Sequence, residues 1–318
     1  MKNPKLRILL LTLAAGVLAA GCDADYDFGK TGATSHVVVN ALLSPQEDFT
    51  VKLNWSSAYA GEDTRFAPVH EAEIRLLEEG AEVVRCAASP DGKTVTQFRA
   101  TAGKRYRLEV TVPGYGTLAA ETDVPALPAV EMAFRYNKNA YKHYEIKALE
   151  CTAGTQAVWL DAIGIYRRPV YVYDEFGHWT GEIIEDEGEE SEERIYGFYT
   201  TSPFVDQVNG ANDAYEAGDK EATVEFEQFL RLPREDCAPA LPLRFSLWSS
   251  CRRTRFRIVT ASAAYDRYMR SLYKQRINTE ESADKNPFAE QVTVYTNIGN
   301  GLGIFAGCNT LTLEIADR

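Results

Sequence analysis

The pattern of this chain predicts a mainly β fold: an N-terminal β-sandwich followed by a second β-rich domain that carries one amphipathic helix. Three observations carry that expectation. Apolar and polar residues alternate in short runs, and turn residues interrupt those runs roughly every 8 to 12 positions. The 17 Tyr, 14 Phe and 4 Trp add aromatic side chains suited to a pleated, half-buried surface. With 318 residues and 45% apolar composition, the chain has ample material for one large or two medium cores.

Between residues 35 and 128 the segments HVVVNALL, FTVKLNWSSA, AEIRLLEE, EVVRCAAS, TVTQFRA, RYRLEVTVPG and GTLAAETDVP read as seven strands. The sixth alternates most cleanly. Tyr106, Leu108, Val110 and Val112 interleave with Arg105, Arg107, Glu109 and Thr111, which gives one apolar and one wet face and therefore a two-layer sandwich. Asp91-Gly92 is a hairpin signal, and Gly103 and Gly114 mark later turns. The prolines of VPALP, residues 124–128, cannot donate to a strand ladder and favour an extended connector, so the domain boundary falls there.

The second domain, 129–318, opens with the strand-like VEMAFRY, HYEIKALEC, AVWLDAIGIYRR and VYVYDE. Residues 182–193 then bring eight acidic side chains into twelve positions. Like charges at that density repel, so an acidic, solvated loop is expected, and the D-x-D-x-D-G spacing of a calcium-wrapping loop is absent. YGFYTTS, TVEFEQFLRLP, LPLRFSLWSS and RFRIVTAS restore the strand pattern. A helix follows over 262–276, with Ser262 as N-cap and Tyr265, Tyr268, Met269, Leu272 and Tyr273 recurring at three and four residues as a stripe that packs on a sheet. QVTVYTNI, GLGIFAGCN and TLTLEIA close the chain with three more strands.

The N-terminus reads as an address. Lys2, Lys5 and Arg7 precede an apolar run from Ile8 to Leu18 that is too short to span a bilayer, and Ala19, Ala20 and Gly21 lead to Cys22. Residues 1–21 are thus a secretory signal peptide. Ala19-Ala20-Gly21-Cys22 resembles the bacterial lipobox, although Leu18 lies one place upstream of that motif's usual leucine. The resemblance implies lipidation of Cys22. Each buried CH₂ contributes about 0.8 kcal/mol, so two or three acyl chains such as palmitate hold durably where one does not. The tether at 22–34 carries Asp23, Asp25 and Asp27 and resembles the surface-export signal of Bacteroidota lipoproteins. A lipid-anchored, surface-exposed place on the outer membrane is expected, with a periplasm-facing one as the alternative.

The chain carries 34 basic and 46 acidic residues, for a formal charge of −12. Without its first 21 residues it stands at 31 basic against 46 acidic, or −15, a poor surface for nucleic acid or anionic lipid. Setting Cys22 aside leaves Cys86, Cys151, Cys237, Cys251 and Cys308, an odd number in an exported chain. Cys237 and Cys251 flank a turn and a strand short enough to be closed by a bridge, and they are the expected pair; burial of all five as small apolar side chains is the alternative.

Motifs for chemistry are scarce. His36, His70, His143 and His178 are scattered without zinc-ligand spacing, and His70-Glu71 lacks the second histidine of a zinc-protease helix because Ile74 stands there. No G-x-S-x-G elbow occurs. Residues 301–306 match G-x-G-x-x-A, yet the 12 residues that follow are strand-like and too few for a dinucleotide-binding unit; the glycines serve a turn and a bulged strand. No catalytic, metal or cofactor residue is assigned. Tyr171, Tyr173, Trp179, Tyr196 and Tyr199, beside the acidic segment, are an expected interaction surface of the kind that stacks on sugar rings or lines a protein interface, with sheet core as the alternative.

Two resemblances extend this reading. EAEIRLLEEG and SPDGKTVTQFRATAGKRYRLEVTVPGYG resemble the prealbumin-like, immunoglobulin-like sandwich domains of exported bacterial proteins, a likeness of fold that implies no activity. VVVNALLSP, RYRLEVTVPGYGTLAAETDVP, the tyrosine helix and NPFAEQVTVYTNIGNGLGIFAGCN together resemble the Bacteroidota lipoprotein family called domain of unknown function 4249. That resemblance implies no catalytic residues. It implies an accessory role at the cell surface beside a TonB-dependent transporter; the expectation is therefore a non-enzymatic accessory or ligand-binding partner of such a transporter, and the aromatic surface adds a glycan or peptide as the ligand class to test. The alternatives are a surface glycan or peptide hydrolase, and an adhesion or matrix component.

Overall fold

All seven alternating segments between residues 35 and 128 contain a strand in the computed structural model, which describes residues 35–56, 66–138, 141–167, 170–184, 189–206, 210–215, 223–226, 229–285 and 293–316. These strands are β1 (Val37–Leu43), β2 (Thr50–Trp55), β3 (Glu73–Glu78), β4 (Ala81–Ala87), β5 (Lys93–Val95), β6 (Arg105–Val112) and β7 (Gly116–Asp123). A four-stranded sheet in the order β4-β3-β6-β7 packs on the layer β1-β2-β5. The apolar set of β6 is buried as its alternation requires. The wet face carries the ion pairs Arg75–Glu109 and Arg107–Glu121.

Beyond residue 128 a second core forms. Its strands are β8 (Ala129–Lys138), β9 (Tyr141–Glu150), β10 (Ala157–Arg167), β11 (Val170–Tyr173), β12 (Trp179–Ile184), β13 (Glu190–Arg194), β14 (Phe198–Thr200), β15 (Gly210–Tyr215), β16 (Thr223–Phe226), β17 (Leu230–Pro233), β18 (Leu243–Trp248), β19 (Arg253–Ala261) and β20 (Leu302–Ala316). One sheet runs β15-β16-β14-β18-β9-β8; the other runs β13-β10-β19-β20-β1-β2-β5, with β17 also on β10. Between them Tyr144 stacks on Phe245 at 5.8 Å and meets the edge of Phe256 at 4.8 Å, and its hydroxyl reaches Thr254 Oγ1 at 2.7 Å. The elements lie in one unit, 36–55 and 67–318. The expected signal peptide over 1–21, Cys22 and the expected tether over 22–34 fall outside the described residues. Among the described residues no helix is long and apolar enough to cross a membrane.

The two cores share a strand. The first part of β20 pairs in parallel with β1, from Val38↔Leu302 to Leu43↔Gly307, and the second part pairs antiparallel with β19, from Ala261↔Cys308 to Arg253↔Ala316. Phe305 therefore fills the first core while Leu311, Leu313 and Ile315 pack on the second. Pairing thus crosses the 124–128 connector, and the segment after residue 128 completes the sandwich before it. Glycine permits the approach. A Cβ on Gly303, whose φ is 101°, would overlap the Val39 carbonyl, and one on Gly307 would overlap the Asp123 carbonyl. The G-x-G-x-x-A run is thus a strand-packing device.

Polar side chains lock the junction. The Asn297 side chain behaves as an extra peptide group: its Nδ2 donates to Phe305 O at 2.7 Å and its Oδ1 accepts from Phe305 N at 2.9 Å. Gly307 N donates to Thr122 Oγ1 at 2.9 Å, and Thr122 Oγ1 donates to Ser262 Oγ at 3.2 Å. Asn309 Nδ2 donates to Pro125 O at 3.0 Å, and Thr260 Oγ1 to Ala126 O at 3.0 Å, so two consecutive carbonyls of the connector are held by one cross-strand pair of β19 and β20.

Two helices stand among the described residues, the single turn α1 (Arg234–Cys237) and α2 (Ala263–Lys285). Ser262 caps α2, accepting from Tyr265 N at 3.2 Å. The helix outruns the expected 262–276 because its last turns carry no apolar period to read. Tyr265, Met269 and Tyr273 pack on Trp159, Val259 and Ala261, as the stripe predicts. A buried fork fixes the helix in place. Arg231 and Asp266, with side chains 4% and 3% exposed, bond through Nε–Oδ1 at 2.8 Å and Nη2–Oδ2 at 2.7 Å, while Trp159 Nε1 donates to Asp266 Oδ1 at 3.0 Å.

The acidic segment corrects the expectation of a loop over 182–193. Its described ends are strand: β12 reaches Ile184, and β13 pairs with β10 from Ile163↔Arg194 to Arg167↔Glu190. Arginines remove the repulsion that argued for a loop. Glu190 meets Arg253 at 2.7 Å and Arg167 at 3.2 Å, Glu192 meets Arg255 at 2.6 Å, and Glu314 on β20 meets both Arg253 and Arg255.

Gly307→Ala will destabilise the protein by about 3 kcal/mol, because the clash is with backbone, while Gly114→Asn, where nothing lies nearby, will cost under about 1 kcal/mol. Urea unfolding of both variants checks this. Arg231→Met will cost about 3–5 kcal/mol by stranding the Asp266 carboxylate, and adding Asp266→Leu will restore part of that loss.

Candidate functional site

An open cavity of about 440 Å³ lies where β10, β13, β14 and β18 meet, lined by Tyr166, Arg194, Ile195, Tyr196, Gly197, Tyr199 and Trp248. Local sequence sets each wall. Tyr166 folds its ring over Gly164, where a Cβ would stand 2.6 Å from ring carbon Cε2, and its hydroxyl shares a hydrogen bond with Ser249 Oγ at 3.0 Å. Burial pushes the Tyr166 phenol up. Ile195 donates its N–H to Ala162 O at 2.9 Å and is buried, which turns its neighbours Arg194 and Tyr196 outward. Gly197 then takes a φ of 88°, which lets the chain bend into β14, where Tyr199 meets Tyr141 edge to face at 5.3 Å. Tyr196 and Trp248 remain 59% and 60% exposed.

Behind Arg194 lies a smaller cavity of about 180 Å³, lined by Trp159, Asp161, Arg194, Phe229, Arg257, Val259, Tyr265, Met269 and Tyr273. Asp161 is the carboxylate in its lining. Oδ2 faces Arg257 at 3.2 Å and Arg194 at 3.5 Å, and Oδ1 is buried without a hydrogen-bond partner. Burial raises the Asp161 carboxyl above its ordinary value, against the pull of the two arginines. Arg194 lines both spaces, so an anion or polar group in the open cavity would compete with Asp161 for the same guanidinium.

The structure divides the expected interaction surface. Tyr196 and Tyr199 share the open cavity, whereas Tyr171, Tyr173 and Trp179 stand on the β11–β12 hairpin, where Tyr173 pairs across from Trp179 and Tyr171 meets Trp179 at 6.5 Å. Asp174 shapes that turn by accepting from the N–H groups of Phe176 and His178 at 2.9 and 2.8 Å. Tyr166, Arg194, Asp161 and Trp248 are new to the site. Trp248 had a readable signal, an aromatic ring in the wet phase of LRFSLW. Cysteine geometry also differs from the expected Cys237–Cys251 pair: Cys237 Sγ lies 3.5 Å from Cys151 Sγ, and Cys251 Sγ lies 3.4 Å from Thr254 Oγ1. The six residues of β18 separate Cys237 from Cys251 by about 20 Å of extended chain. Among the described residues no group of three or more His, Cys, Asp or Glu could hold a metal ion.

The raised Asp161 carboxyl fixes the sign of a pH effect. Its folded pKa exceeds its unfolded one, so its contribution to stability is fullest below the ordinary value of 3.8 and is lost as pH rises through the folded value. Asp161→Asn will therefore be at least as stable as the wild type at neutral pH, and the difference will shrink as the pH falls to about 4, as urea unfolding across that interval will read.

No curated protein matches the chain. Among solved structures, the chicken CNTN1 FN1–FN3 domains align at 10% identity and a TM-score of 0.24, covering 90% of this chain, which spans 66% of theirs. The collagen binding domain of Erysipelothrix rhusiopathiae surface protein RspB aligns at 9% identity and a TM-score of 0.17, covering 87% of this chain and 94% of that one. A family profile described as domain of unknown function DUF4249 matches residues 23–314, which include every strand of both cores except the last two residues of β20. The chain is a member of the DUF4249 family.

Proposed function

We propose that this protein is a lipid-anchored component of the outer membrane surface that binds a ligand without transforming it, as the accessory partner of a TonB-dependent transporter. The observation that supports binding is the open cavity of about 440 Å³ that Tyr166, Tyr196, Tyr199 and Trp248 line together with Arg194. Its volume lies within the range of small-molecule sites. Aromatic faces flanking one charged fork suit a sugar ring or a short peptide, since both offer flat apolar surface beside hydrogen-bonding groups. The anchor reading rests on Lys2, Lys5, Arg7, the apolar run and Cys22. A chain tied at Cys22 presents its sandwiches within reach of neighbouring membrane proteins, and its charge of −15 keeps it from adhering to anionic lipid.

Protease treatment of intact cells, run beside a Cys22→Ser variant, tests placement: the wild type will be cleaved, and the variant will leave the membrane fraction. Affinity purification from detergent-solubilised membranes tests partnership and will recover a transporter barrel. Repeated purification without one contradicts the accessory role. The double variant Tyr196→Ala/Trp248→Ala will keep the barrel and lose at least tenfold in ligand capture, in keeping with loss of two stacking faces.

A further inference from the structure

We propose that Cys151 and Cys237 form a disulfide in the exported protein. Cys151 lies just past the end of β9, and Cys237 ends the single turn α1 that follows β17. Their sulfurs stand 3.5 Å apart, and among the described residues this is the one pair of thiols in contact. A disulfide needs its two sulfurs near 2.05 Å, so from 3.5 Å a side-chain adjustment of about 1.5 Å brings them to bonding distance. The backbone already fixes the approach: Arg234 N donates to Gln156 O at 3.1 Å, and Thr155 N donates to Thr152 O at 3.3 Å, which holds the turn after Cys151 against α1.

The two thiols have different parts in closure. Cys151 is the more accessible, and its thiol is held below the ordinary range by the hydrogen bond to Cys237, with help from Arg234 and against burial. Cys237 is buried, and its contact with Cys151 and its burial push it up. Cys151 thiolate therefore attacks first, on a sulfur of an external disulfide, whether a protein thiol oxidase or oxidised glutathione. One thiolate leaves and a mixed disulfide forms on Cys151. Cys237 then gives up its proton and attacks the Cys151 sulfur, expelling the second thiolate. The pair loses two protons and two electrons, and the external disulfide becomes two thiols.

The bond would close a loop spanning 86 positions that contains β10, β13 and β14, and with them Tyr166, Arg194, Tyr196 and Tyr199. It would thus pin the base of the segment that forms three walls of the open cavity. Among the described residues Cys86, Cys251 and Cys308 have no such thiol neighbour, and burial pushes the Cys86 and Cys308 thiols up, Cys308 to about 12.

Full-length protein taken from membranes, quenched in acid, alkylated with N-ethylmaleimide in denaturant and digested without reductant supplies the test. Mass spectrometry will find one peptide linking Cys151 to Cys237, with Cys86, Cys251 and Cys308 alkylated. Fully reduced protein treated with oxidised glutathione will form the same link, and verified reduction will lower Tm by about 5–10 °C. Cys151→Ser and Cys237→Ser will each expose the other thiol to N-ethylmaleimide and abolish the effect of reductant on Tm. Recovery of Cys151 and Cys237 both alkylated from membranes, a Cys237–Cys251 link, or a Tm indifferent to complete reduction overturns the proposal. The bond is read whether or not a transporter is recovered, so its fate is separate from that of the accessory role.

Discussion

Strand β20 can lie against β1 because Gly303 leaves bare backbone where the Val39 carbonyl approaches, and Gly307 does the same on the side where the Asp123 carbonyl of β7 comes in. That close contact makes one sheet out of what would otherwise be two. Its parallel half completes the first sandwich with Phe305, its antiparallel half floors the second with Leu311, Leu313 and Ile315, and its other face, at Ile304 and Ala306, receives α2. Three packing problems are therefore solved by fifteen consecutive residues. Interiors are close-packed and tolerate little volume change, so a displacement of this strand is felt by all three clusters at once.

Polar groups at the junction determine where the strand stops serving one core and starts serving the other. Gly307 N has Thr122 and Ser262 hydroxyls as partners, and Ser262 also begins α2. The helix is thus started by the residue that closes the sheet. Its far side is tied by the Arg231–Asp266 fork, whose worth lies in the cost of breaking it: without Arg231 the Asp266 carboxylate would be buried with no opposite charge bonded to it, whereas Arg231 also pairs with Asp206. Placement of α2 in turn roofs the small cavity around Asp161, and Arg194 links that buried space to the open aromatic one.

Much of this was legible in the sequence, for reasons that can be named. Alternation locates β1 to β7 because these strands, the largely exposed β4 apart, have one buried and one wetter face, the condition under which a period of two is visible. Spacing found α2 and Ser262 its cap. The acidic segment reads as a loop because only the repulsion within it is visible locally. Its neutralising partners, Arg253 and Arg255, are sixty residues away in sequence and adjacent only across β10. They stand at every second position of RRTRFRI, a charged phase matching the Glu190 and Glu192 phase, and this was the signal available. The site was legible only in part. Tyr196 and Tyr199 are visible as aromatics beside the acidic run and Arg194 adjoins them in the chain, but Tyr166 and Trp248 come from other strands and are assembled by register alone. Cysteine proximity followed the same rule, since closeness along the chain favoured Cys251 while the fold carries it to the other end of β18.

The claim on which the rest depends is that β20 unites both sandwiches into one cooperative body. Native-state hydrogen exchange followed residue by residue tests it directly. Amides of β1 and β19, on the two sides of β20, are expected to exchange through the same global opening, with equal free energies and an equal response to denaturant. Early exchange throughout β1 while β19 stays protected would mean that the first sandwich opens alone and would contradict the account.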